Sequence, residues 1–148
     1  MKPILIMVLG LAIFFGGHSA CLADSGHIGI VKSVVGYSVV VREGETFKVE
    51  ANMLVLTGDL LKTGDDGKMG LIFEDDTVIS IGPDSQIVIE DFLFQPAEKK
   101  MSFVARILHG TATFLSGQLS KLAPDKVRIK TPNATIGMRG TSILVKVD

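Results

Sequence analysis

The chain has three histidines, one cysteine and 16 acidic residues with which to do chemistry. Nucleophilic catalysis needs a nucleophile, a base within reach of it, and a third group to orient the base. His18 and Cys21 lie within residues 1–23, which read as a signal peptide, and this leaves His27 and His109 as bases. No G-x-S-x-G context surrounds any serine, and His and Cys do not recur at metal-ligand spacing. The sequence therefore assigns no catalytic residue, no cofactor and no metal ligand, and the expectation is a protein that is not an enzyme.

The carboxylates are more clustered. Asp65, Asp66, Glu74, Asp75, Asp76 and Asp84 fall in short breaks between apolar runs, where they would line one edge of a stacked sheet. Such an edge offers the oxygen ligands that calcium prefers. A pair of its carboxylates is also what a glycosidase uses as acid and base. Against both, no loop has the D-x-D-x-D-G spacing of a dedicated calcium site. There is no Trp and one Tyr to form a sugar platform. Turn chemistry alone predicts aspartates at these places. A ligand- or calcium-binding envelope protein acting through acidic turns stays as the alternative reading.

The third chemical feature is "TPNATIGMRGT", residues 131–141, where Gly137 and Gly140 flank Arg139 in strand-like sequence. Arg139 could bind an anion, anchor an interface, or satisfy buried groups with its planar fork. The flanking glycines favour the structural reading, with backbone packed closely around the side chain. A buried guanidinium needs a carboxylate, and Asp59, Asp75 and Asp84 are the expected partners.

These residues must be positioned by the elements around them. Residues 1–23 read as a signal peptide: Lys2, then the apolar "PILIMVLGLAIFFGG", then small residues before a cut after Ala23. A second reading makes Cys21 the lipidated first residue of a lipoprotein, although His18 stands where such signals carry Leu or Val. Removal of 1–23 leaves 14 basic against 16 acidic residues, a net −2, and no cysteine for a disulfide. That balance excludes a nucleic-acid footprint, and no later segment is apolar enough to span a membrane. The expected localisation is periplasmic or secreted.

From residue 24 to 148 the pattern is one β domain. "HIGIVKSVVG" and "YSVVVREG" are β-branched strands. Apolar runs at 69–73, 78–81, 87–89 and 92–94 are cut by "GDDG", "EDD" and "GPDS". Residues 98–110 fit either a helix closed by Gly110 or a strand; the flanking strands favour the strand. Val127 and Ile129, then Ala134, Ile136 and Met138, then Ile143, Val145 and Val147 mark three half-buried strands. The fold class is all-β, short strands and tight turns, solenoid-like or sandwich-like. Edge strands leave self-association open.

The run Gly58-Asp59, Leu61, Thr63-Gly64, Leu71, Phe73, Asp75, Thr77, Ile79, Gly82, Ser85 resembles the FecR domain. The closing Thr131-Pro132, Gly137, Arg139, Gly140-Thr141 is similar to that family's "TP-x-A-x-x-G-x-RGT" signature. The likeness spans about residues 27–148. Asp76 departs from it, standing where the family usually has glycine; aspartate tolerates left-handed backbone well. The resemblance implies a non-catalytic periplasmic module that binds a protein or another envelope component. Family members that regulate sigma factors add a sigma-binding domain and a membrane span. Neither is visible here, so anti-sigma activity is not expected.

Overall fold

A computed structural model describes residues 26–140 and 142–148; the signal-peptide reading and Thr141 lie outside the described residues. Twelve strands form one curled, mostly antiparallel sheet, a half-barrel with two wings. The sequence builds it as a meander of four bent strands. β1 (His27–Val35) continues into β2 (Ser38–Arg42), and β5 (Leu60–Thr63) into β6 (Lys68–Phe73). β7 (Val78–Ile81) continues into β8 (Gln86–Gln95), and β9 (Lys100–Leu115) bends within itself. One wing places β2, β5, β8 and the first half of β9 side by side. The other places β1, β6, β7 and the second half of β9 side by side.

The remaining strands extend the wings. β3 (Glu45–Lys48) joins β2 through a two-residue turn in which Glu43 (φ 50°) and Gly44 (φ 81°) both have positive φ, the twist-matched hairpin geometry. β4 (Leu54–Leu56) borders β1. β10 (Val127–Lys130) runs parallel to β9 and carries β11 (Thr135–Gly137), while β12 (Ser142–Val147) pairs with the second half of β9. Segment 98–110 is thus mainly strand, as its neighbours require. One short helix, α1 (Gln118–Leu122), stands where no helical period was legible. Apart from the β9–β10 pair the neighbours are antiparallel, and the fold is all-β, as the strand and turn pattern requires.

Period-two alternation fills the space between the wings. Leu71, Ile79 and Phe114 point inward from one wing; Leu61, Ile87, Ala105, Ile107 and Ile129 do so from the other, in one hydrophobic cluster. Phe73 of the first wing meets Phe92 and Phe103 of the second, with ring centroids 5.4 and 5.5 Å away. These aromatics close the core at the end away from the bends, at spacings typical of favourable ring pairs.

Candidate functional site: the bends and the buried carboxylates

Each bent strand crosses between wings at a glycine or at a glycine-containing turn, and the four crossings lie in a row. Gly64 N–H donates to Tyr37 O (2.8 Å), Asp84 N–H to Gly64 O (2.9 Å) and Gly82 N–H to Thr111 O (2.9 Å). Two hydroxyls weld the row. Thr63 Oγ1 donates to Gly82 O (2.6 Å) and accepts from Ser85 N–H (3.0 Å). Ser85 Oγ donates to Pro83 O (3.0 Å) and accepts from Thr111 N–H (3.0 Å). Both residues are buried, so each hydroxyl replaces the water that a kinked backbone would otherwise need. Gly110 (φ 91°) lets β9 bend, and a Cβ there would sit 2.5 Å from Ser85 Cα.

Asp59 sits at the register position opposite Arg42, one step beyond the Val41–Leu60 pair. Its buried carboxylate receives Arg42 Nε at 2.8 Å and Nη2 at 2.7 Å, a two-pronged ion pair, and also accepts from Leu56 N–H at 2.9 Å. Arg42 Nη2 further donates to Leu54 O at 3.0 Å. The hydrogen bond to Asp59, opposed by partial burial, raises the Arg42 pKa above its ordinary value and keeps the guanidinium charged. This fork ties β2, β4 and β5 together.

Asp75, fully buried, serves the other end of the meander. One oxygen accepts from Thr77 N–H (3.1 Å); the other accepts from Thr77 Oγ1 (2.7 Å) and Leu119 N–H (3.1 Å). Gln118 N–H donates to Asp75 O at 2.6 Å, so the turn satisfies two orphan donors at the start of α1. Gly117 permits this docking, since a Cβ there would lie 2.7 Å from Asp76 C. Asp76 itself has φ 67°, the left-handed geometry expected of an aspartate in glycine's place.

Two sequence expectations are corrected. Arg139 does not fasten the interior: it is exposed, and among the described residues it makes no hydrogen bond or ion pair. Asp59 is taken by Arg42 and Asp75 by backbone and hydroxyl donors, so neither has room for it. The glycines beside it do not pack tightly either, because a Cβ at Gly137 or Gly140 would meet nothing within 4 Å. The acidic turns also fail to share one edge. Asp65, Asp66 and Asp84 lie at the bends, whereas Glu74, Asp75 and Asp76 lie beyond the far end of β6, because successive turns of a meander alternate between ends. Among the described residues no group of three His, Cys, Asp or Glu is placed to hold a metal ion. His27 opens β1 and His109 is exposed in β9.

The remaining motif positions divide the same way. Gly58 (φ 90°) precedes Asp59 and donates its N–H to Ile89 O at 2.7 Å. Thr131 Oγ1 accepts from Ala134 N–H at 3.0 Å, which shapes the Pro132-Asn133 turn between β10 and β11. Sequence reasoning missed Arg42 and Gly117 and gave Ser85 no role. Ser85 alone had a signal, as the serine after a Gly-Pro-Asp turn.

The buried motif residues of this β-module are spent on its own turns and bends. A family model described as FecR protein matches residues 59–148, and the chain belongs to that family. The match begins at Asp59, the carboxylate that receives the Arg42 fork. No curated protein and no solved structure matches the chain.

Proposed function

We propose that this chain is an exported, non-catalytic protein-binding or signalling module of the cell envelope, cut after Ala23 to leave one domain over residues 24–148. One observation carries the reading: the polar residues in the first part of the FecR pattern, Asp59, Thr63, Asp75, Thr77 and Ser85, are buried and turned on the protein's own backbone and side chains. Groups so committed hold a scaffold rather than turn over substrate. The family is a signalling one, and no helix among the described residues is long and apolar enough to cross a membrane.

Two measurements test the proposal. Intact mass of the protein recovered from the envelope should correspond to a start at Asp24; retention of residues 1–23, or a lipid on Cys21, refutes the cleavage. Crosslinking in the intact envelope should give adducts with another protein. Recovery of self-adducts alone refutes the binding role.

A further inference from the structure

Gly137 meets no internal need. Its φ lies outside the left-handed region and the space beside it is open, unlike Gly110 and Gly117, which the fold requires. It ends β11, which pairs with β10 and, among the described residues, with no strand on its opposite edge. A glycine in a strand marks a place where another backbone can approach closely. Beside it opens a hollow of about 300 Å³ lined by Pro124, Asp125, Gly137, Met138 and Arg139. Met138 is buried there, while Arg139 is exposed.

The charge around this edge is lopsided. Residues 117–140 hold Lys121, Lys126, Arg128, Lys130 and Arg139 against Asp125 alone, in a chain of net charge −1. Lys130 is engaged by Glu90 at 3.1 Å, and Arg128, like Arg139, is exposed. An open strand edge, a bare glycine, an arginine fork and an apolar hollow are the parts of a strand-addition site.

We propose that the open edge of β11 is a docking site for an extended acidic segment of a partner protein. The segment adds as a strand beside Thr135–Gly137, sets a carboxylate on Arg139, and places an apolar side chain in the hollow beside Pro124. Arginine suits the task because its fork takes a carboxylate with two parallel hydrogen bonds. This assignment rests on the protein-binding reading above. The two fail separately: adducts that map elsewhere on the surface end this one and leave that one standing.

The test uses 15N-labelled protein recovered from cells expressing the full chain. The probe is a blocked heptapeptide, Asp-Val-Asp-Phe-Asp-Val-Asp, compared with its asparagine counterpart. The aspartate peptide should shift the amide signals of residues 135–139 and of Asp125, more weakly as salt rises. The asparagine peptide, and Arg139→Gln with the aspartate peptide, should each bind about tenfold more weakly, the worth of one charge-assisted contact. Gly137→Val should weaken binding while the protein melts as the parent does; if that variant fails to fold, Arg139→Gln carries the test. Absence of shifts at millimolar peptide, shifts confined to another face, or equal binding by Arg139→Gln overturns the proposal.

Discussion

Removing the Asp59 carboxylate is the sharpest test of the fold's polar framework. Asp59→Ala deletes two charge-assisted bonds from Arg42 and the bond from Leu56 N–H, and it strands donors in a region where the Asp59 side chain is 1% exposed. Losing one partner of a buried pair costs about 3–5 kcal/mol. The Arg42 side chain is 26% exposed and can rehydrate in part, which places the expected loss near the lower end, about 3 kcal/mol. For a domain of this size that lowers the melting temperature by roughly 10 °C. Urea denaturation of parent and variant, followed by circular dichroism, reads the difference directly. The double variant Arg42→Met/Asp59→Leu should recover much of it, because apolar replacements leave no buried charge unpaired. An Asp59→Ala protein that unfolds within about 0.5 kcal/mol of the parent, the ordinary surface range, refutes the reasoning.

Three further outcomes follow from the same geometry. Arg139→Ala should change stability by less than about 0.5 kcal/mol, as an exposed side chain would, and a larger loss in a urea titration would restore the interior role rejected above. Gly110→Ala combines a positive φ with a collision against Ser85, and should cost about 3 kcal/mol or more, read as lost soluble yield or a lowered urea midpoint. Glu90 is held below its ordinary pKa of 4.5 by hydrogen bonds first from Arg106 and then from Lys130, with burial opposing them. Its contribution is therefore fully present above about pH 4.5 and fades as pH falls through the lower folded value, so the stability gap between parent and Glu90→Gln should be flat near neutrality and shrink below 4.5; a gap that does not shrink refutes the assignment.

Much of the scaffold was legible because strand formation is local. Val127-Arg128-Ile129-Lys130 alternates in sequence and alternates buried and outward in the sheet. The left-handed turn at Asp76 was legible because the residue stands in the glycine position of the family pattern and aspartate tolerates that geometry. Segment 98–110 carried both periods, and its place between β8 and β10 decides for strand. Helix α1 had no such signal: its five residues are too few to show a helical period, and its first donors are satisfied by the distant Asp75.

The polar partners belong to the tertiary structure. Arg42 and Asp59 are 17 residues apart and meet because β2 and β5 pair in one register; a shift of one residue would send Arg42 to the other face. Thr63, Ser85 and Gly110 form one row only after four strands bend at the same place. Local pattern thus determined that this protein is a β structure with turns at its Asp- and Gly-rich breaks, since those preferences act over a few residues. Which carboxylate holds which cation, and that Arg139 faces outward, depended on the pairing of distant strands, since a side chain's direction is set by register and not by its sequence neighbours.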